Sequence, residues 1–253
     1  MIIKLVRHGL SKSNVKEVDV TQTGDYRVEL TPTGKRQASL AGDHILRNNP
    51  LFFNERTLIY CSPYIRTRET LRCILNKLTC QPKVYEDPRL REIEWGYDQQ
   101  EDFDIDFMRE THGKFYFRVK GGESPADGYD RISGFISTMM RQIRRKEAKK
   151  VLIVTHGLTI RCFVMRFMHL TVEQFDEIIN PKHCDIITIT NESHTITPQF
   201  TTGMWQLCGL RLPGSPGPAS WPWYCSSCDK YEVWPNMSNR TARCESCGTV
   251  GNY

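Results

Sequence analysis

Repeated pairing of a short apolar run with a helical stretch limits this chain more than any other feature. Ile2 to Val6 is one such run, ending at Arg7-His8-Gly9. Thr57 to Cys61 is another, followed by a helical stretch from Tyr64 to Lys77. Val151 to Val154 precedes an apolar helix, Leu158 to Met168, and Asp185 to Thr190 makes a fourth strand candidate. Thr33 to Leu46, with Pro32 just ahead of it, reads as a further helix. Strands apolar on both faces that alternate with helices predict an α/β fold: a mostly parallel sheet with helices on both faces. The clearest helical spacing lies within Tyr129 to Lys149, where Ile132, Phe135, Ile136, Met139, Met140 and Ile143 recur. That stripe is core. Ser124-Pro125-Ala126-Asp127 precedes it as a cap, with proline at the first helical position.

Composition narrows the setting. The 253 residues are 39% hydrophobic and 25% charged, as in an ordinary soluble domain. The net charge of +5 suits anionic substrates but is too small to argue for nucleic acid, so nucleic acid is not an expected partner. No apolar run approaches the roughly 18 residues of a membrane helix, so no membrane association is expected. Met1 to Val6 is too short for a signal peptide and runs directly into a motif, which predicts an intracellular, cytoplasmic protein.

Six of the ten cysteines, Cys61, Cys73, Cys80, Cys162, Cys184 and Cys208, are scattered, and four form two tight pairs near the end. Between the groups lies Pro213-Gly214-Ser215-Pro216-Gly217-Pro218, a composition that continues neither a helix nor a central strand. The expected organisation is a catalytic domain over 1–212, a Pro/Gly linker over 213–222 and a small module over 223–253. There is no internal repeat.

The chemistry is expected where strands end, because ligands of open parallel sheets bind outside the carboxyl ends of the strands. His8 follows the first strand and His156 the third, each with a glycine next. Arg66 lies just after the second strand, in Cys61-Ser62-Pro63-Tyr64-Ile65-Arg66. With Arg7, two arginines and two histidines at one sheet edge suit a tetrahedral dianion, whose oxygens match guanidinium forks.

These residues resemble the signature of the histidine phosphatase superfamily, to which cofactor-dependent phosphoglycerate mutases also belong. Leu5-Val6-Arg7-His8-Gly9, with Ser11 and Asn14 beyond, carries the first motif. Leu30-Thr31-Pro32-Thr33-Gly34-Lys35-Arg36-Gln37-Ala38 is similar to the family's helix start, and Ser62 to Thr70 to its S-P-x-x-R-x-x-x-T segment. Leu90-Arg91-Glu92 resembles its acid motif, Gly122-Glu123-Ser124 its G-E-S segment, and Thr155-His156-Gly157 its second histidine. The resemblance runs over about residues 1–205 and implies a phosphoglycerate mutase-like fold.

It also implies a phosphomonoester hydrolase. His8, neutral, would form a phosphohistidine. Arg7, Asn14, Arg66 and His156 would hold the phosphoryl oxygens. Glu92 would protonate the leaving oxygen and then deprotonate water. No cofactor is implied for catalysis. Glu94, two residues on, is the competing acid. Leu10 departs from the family, many of whose members carry glutamate there.

Two alternatives stand beside hydrolysis: mutase-type phosphoryl transfer, and an inactive scaffold whose C-terminal module binds a partner. Between Gly96 and Gly121 lie 24 residues with six acids, Asp98, Glu101, Asp102, Asp104, Asp106 and Glu110, against four bases, Arg109, Lys114, Arg118 and Lys120. A short, net-acidic segment clamps a bisphosphate poorly, which favours hydrolysis over the mutase. Its rings, Phe103, Phe107, Phe115, Tyr116 and Phe117, serve either as core or as an apolar wall for a substrate's organic part.

Cys225-x-x-Cys228 and Cys244-x-x-Cys247, with 15 residues between the pairs, form the pattern of a structural four-cysteine zinc site. A module of about 30 residues cannot fold on an apolar core alone, so one Zn²⁺ per chain is expected to stabilise it. With Trp223 ahead of it, the module resembles nucleoporin-type zinc fingers and other ribbons, although the longer gap departs from the former. Its bases, Lys230, Arg240 and Arg243, are balanced by Asp229, Glu232 and Glu245, which argues against binding a phosphate backbone, and a protein partner is the expected alternative.

Overall fold

The computed structural model describes residues 1–78, 82–96, 105–192, 197–214, 223–225, 230–236, 241–244 and 250–252; beyond residue 222 it describes strand placement, and side chains only at Arg243 and Val250. In chain order the first part holds β1 (Ile2–Arg7), α1 (Val20–Thr23), α2 (Pro32–Asn48), β2 (Leu58–Cys61), α3 (Ile65–Leu75), β3 (Val84–Glu86), α4 (Ile105–His112), α5 (Pro125–Lys146), β4 (Lys150–Thr155), α6 (Gly157–Met168), α7 (Val172–Glu177), β5 (Ile186–Thr190), β6 (Phe200–Thr202) and β7 (Trp205–Cys208).

The central sheet has seven strands in the order β3-β2-β4-β1-β5-β7-β6. β3, β2, β4 and β1 are mutually parallel, but β5 pairs antiparallel with β1, and β7 and β6 continue antiparallel. The expectation of a mostly parallel sheet is therefore corrected to a mixed one. The reason lies in the last connection: β5, β6 and β7 come after the final long helices and add on as an antiparallel edge, two of them joined by the short Gly203-Met204 link.

Strand side chains alternate between two cores. Leu5, Val151 and Ile153 pack with Ile132, Phe135, Met139 and Phe163 of α5 and α6. Val6, Ile59, Leu152 and Val154 pack with Ile45, Leu71 and Ile74 of α2 and α3. Helices thus cover both faces. The α5 stripe expected to be core is core at Ile132, Phe135, Met139 and Ile143.

Helix α5 begins earlier than the stripe, at Pro125. Ser124 accepts from Asp127 N while Asp127 accepts from Ser124 N, a reciprocal capping box that fixes this start. Its end is set at Glu147, in the left-handed region with φ 51°. No helix among the described residues is long and apolar enough to cross a membrane.

A second sheet, β11-β10-β9-β8, is antiparallel and consists of β8 (Trp223–Cys225), β9 (Lys230–Asn236), β10 (Thr241–Cys244) and β11 (Val250–Asn252). Residues 215–222, within the expected linker, lie outside the described residues.

Candidate active site

Three chain segments converge at the carboxyl ends of β1 and β4, and the first holds His8. The Gly9 N–H donates to Thr70 Oγ1 at 3.0 Å and the Leu10 N–H to Gln37 Oε1 at 2.8 Å, while Leu10 O accepts from Thr31 N at 2.9 Å. Two glycines make this close approach possible. A Cβ on Gly34 would lie 2.1 Å from Leu10 O, and one on Gly9 2.4 Å from Gly34 O. The backbone of Leu10, not its side chain, does the holding here, so the departure from glutamate leaves this anchoring in place.

His8 is buried, and its Nδ1 lies 2.8 Å from Gly9 O. A carbonyl only accepts, so Nδ1 carries the proton and Nε2 keeps its lone pair. Burial first, then the guanidinium charges of Arg66 and Arg7, hold the His8 pKa well below 6.5. The neutral ring is therefore the form present at pH 7.

His156 is fully buried, with its ring centroid 5.3 Å from that of His8. Its Nε2 is 2.8 Å from Ser62 Oγ, and its Nδ1 is a buried atom without a partner among the described residues. Its pKa is likewise lowered, by burial first and then by Arg66, Arg7 and Arg131.

Arg7 donates from Nη1 to Pro181 O at 2.5 Å, leaving its buried Nε–H without a partner among the described residues. Arg66, 4% exposed, lies over the Tyr64 ring at 4.8 Å and is gripped by Asp25: Nη1 to Oδ1 at 2.8 Å, Nη2 to Oδ2 at 3.0 Å, and Nη1 to the Asp25 carbonyl at 2.7 Å.

Glu92 sits at the start of α6. Its Oε1 accepts from Thr159 N at 3.3 Å and Thr159 Oγ1 at 3.2 Å, and its Oε2 from Leu158 N at 3.4 Å. Glu94 is exposed, although both acids border the same cavity.

The cavity has a volume of about 600 Å³ and takes in Arg7, His8, Asn14, Arg66, Glu92 and Glu94, with Asp25, Tyr64, Trp95 and Asn180 among its other walls. His156 is not among these walls; its ring packs against those of His8 and Tyr64. Five of the six residues expected at the site thus border one cavity, and the sixth, His156, packs against His8. Of the rings expected as core or substrate wall, Phe115 is core, Phe107 and Tyr116 are exposed, and Phe103 lies outside the described residues, as do Asp98, Glu101, Asp102 and Asp104.

Sequence reasoning missed His183, Asp25 and Ser62 as site residues. The His183 ring centroid is 5.8 Å from that of His8. Ser62 opens the segment that carries Arg66, and nothing in its own residue type sets it apart from an ordinary turn serine. Asp25 carried no signal beyond lying in the loop ahead of α2.

A family model described as the histidine phosphatase superfamily (branch 1) matches residues 3–200. This chain belongs to the histidine phosphatase superfamily. Its relatives include the phosphoglycerate mutase-like protein AT74 of Arabidopsis thaliana, 36% identical over 198 residues, a match spanning 73% of this chain and 63% of that protein. The broad-range acid phosphatase DET1 of Saccharomyces cerevisiae is 27% identical over 301 residues, covering 79% of this chain and 90% of that one. Among solved structures, a mycobacterial glucosyl-3-phosphoglycerate phosphatase superposes with a TM-score of 0.61 at 22% identity, over 75% of this chain and 90% of its own, which shows the shared fold.

Among the described residues no group of three or more His, Cys, Asp or Glu is placed to hold a metal ion. The side chains of Cys225, Cys228, Cys244 and Cys247 lie outside the described residues. Cys61, Cys73, Cys162, Cys184 and Cys208 are free thiols.

Proposed function

We propose that this superfamily member is a phosphomonoester hydrolase working through a phosphohistidine on His8. The observation that carries the reading is the state of that ring: neutral, with Nδ1–H tied to Gly9 O and Nε2 unprotonated, in a cavity that also presents two guanidinium groups. Nε2 attacks phosphorus and the P–O bond to the leaving group breaks. Glu92, in its acid form, gives its proton to the departing oxygen. The resulting carboxylate takes a proton from water, the hydroxide attacks phosphorus, and the P–N bond breaks to release phosphate and neutral His8. Arg7, Arg66, His156 and Asn14 bind the phosphoryl oxygens as charge spreads over them. The acid phosphatases among the relatives support hydrolysis.

His8→Ala tests this. Turnover of an aryl phosphate should disappear with the fold retained, and brief reaction with labelled substrate should leave alkali-stable, acid-labile phosphate on the wild type alone. Full activity in His8→Ala would remove the mechanism.

We further infer that residues 223–253 form a ribbon in which Cys225, Cys228, Cys244 and Cys247 hold one structural zinc. Strand placement supports the fit. The chain crosses from β8 to β9 through the first Cys-x-x-Cys and from β10 to β11 through the second. Because β8 and β10 both pair antiparallel with β9, the two crossings fall at the same end of the sheet. Four thiolates would close the metal's coordination sphere, so the ion would stabilise the module without taking part in phosphoryl transfer. Such a module is suited to recruiting a protein partner to the phosphatase, or the phosphatase to its phosphorylated substrate.

A further inference from the structure

The segment ahead of β5 is anchored more firmly than a connecting loop requires. Cys184 N donates to Arg7 O at 3.1 Å, Lys182 N donates to Asp185 Oδ2 at 2.7 Å, and the fully buried Asp185 carboxylate pairs with Arg211 at 2.6 Å. Within it Cys184 adopts φ 59°, a left-handed conformation that is strained for a non-glycine residue and persists only where its surroundings impose it. These constraints fix the residue between them, His183.

His183 Nε2 lies 3.0 Å from the side-chain oxygen of Asn14. That atom is oxygen on chemical grounds, because the backbone N–H of Ser11, 3.2 Å away, can only donate to it. Nε2 of His183 therefore carries a proton and donates. Ser11 Oγ, at 2.7 Å, is another donor to the same oxygen. With its oxygen taken by donors on two segments, the Asn14 carboxamide has a single orientation, and its NH2 group is the half left to the cavity that Asn14 borders.

We propose that His183 is a positioning residue for phosphate binding: its Nε2–H holds the Asn14 carboxamide so that the amide presents N–H, and not carbonyl, to the phosphoryl group. The inference rests on the assignment of Asn14 to phosphate made above. Burial and the charge of Arg7 hold the His183 pKa at about 3, so the ring is neutral at pH 7 and orients the amide without adding charge beside His8.

The full-length chain provides the test. Steady-state turnover of an aryl phosphate and calorimetric binding of orthophosphate are compared for wild type, His183→Ala, His183→Gln, Asn14→Ala and the His183→Ala/Asn14→Ala pair. His183→Ala should raise KM and the orthophosphate Kd together by about five- to ten-fold, the worth of one hydrogen bond in the site, with kcat little changed. His183→Gln, which can still donate N–H, should recover most of that loss. In the Asn14→Ala background the His183 change should add almost nothing, because both act through one amide. If His183→Ala does not fold, His183→Leu, similar in size and without a donor, takes its place. Unchanged KM and Kd on loss of the donor, or full additivity with Asn14→Ala, would overturn the inference while an active wild type left the phosphatase reading standing. A wild type without turnover would instead count against that reading, and the orthophosphate titrations would still decide the role of His183.

Discussion

At the scale of single residues, the proposed phosphate site is balanced by a carboxylate that belongs to the protein. Asp25 presents two oxygens to the Arg66 fork, the arrangement a phosphoryl group would itself adopt. A dianion entering the cavity therefore meets a negative charge already docked on one of its two arginines. The Asp25 side chain is 30% exposed, so solvent screens part of this repulsion. Asp25→Asn keeps an acceptor of the same shape and removes the charge. The expected result is an inhibition constant for orthophosphate lower by about three- to ten-fold, a size set by Coulomb repulsion at high effective dielectric. Inhibition assays against an aryl phosphate would measure it. A higher constant would mean that orienting Arg66 outweighs the repulsion.

At the scale of elements, the His8 loop is only as well placed as the helix packed against it. Gly34 in the first turn of α2 lets Thr31 N reach Leu10 O, and Gln37, one turn on, holds Leu10 N. A methyl group on Gly34 would meet Leu10 O at 2.1 Å, a backbone atom that no side-chain rotation can move aside. Gly34→Ala should displace α2 or the His8 loop by roughly an ångström, and such a shift can cost on the order of a hundred-fold in turnover. Circular dichroism with kinetics would check it; wild-type turnover in a folded Gly34→Ala protein would show that the loop tolerates the shift. Much of this architecture was legible in the sequence. The runs feeding Arg7-His8, Ser62 and Thr155-His156 announce both the strands and the edge where they end, and Ser124 to Asp127 announces the cap of α5. What escaped was short or reversed. β3 has three residues on a sheet edge with only one of them half-buried, so it carries no apolar run to read. β5 has the apolar pattern of a buried strand in either direction, and assuming it parallel sends the residues before it to the wrong end of the sheet. Because β5 runs antiparallel to β1, with Ile186 beside Val6, its beginning lies where β1 ends. That reversal brings Pro181 and His183 to the site, and no local signal near residue 183 reveals it.

At the scale of the whole molecule, the question is whether chemistry depends on the C-terminal module. The residues bordering the cavity end at Asn180, and the groups proposed to hold phosphate all precede it. Beyond β7, Leu210 is buried, Arg211 pairs with Asp185 and bridges to Ile179, and Leu212 packs at the margin of the core. A chain ending at Leu212 therefore keeps the contacts that fix the segment carrying His183. It loses the four cysteines proposed to bind zinc, whose closed thiolate set offers no position for substrate or water. Metal analysis of the full chain should find about one zinc per molecule, and Cys225→Ser with Cys228→Ser should abolish it, since two thiolates cannot complete a tetrahedral structural site. The truncated chain should retain turnover of a small aryl phosphate within about three-fold, because every residue bordering the cavity is retained and, on the proposed mechanism, preorganised charges there set the barrier. Turnover of a physiological substrate, by contrast, should fall on truncation if the module recruits it, and rise in KM more than fall in kcat. A collapse of aryl phosphate turnover in a truncation that still folds would tie the module to catalysis and end the recruitment reading. A full-length chain without zinc would leave the ribbon assignment without its metal.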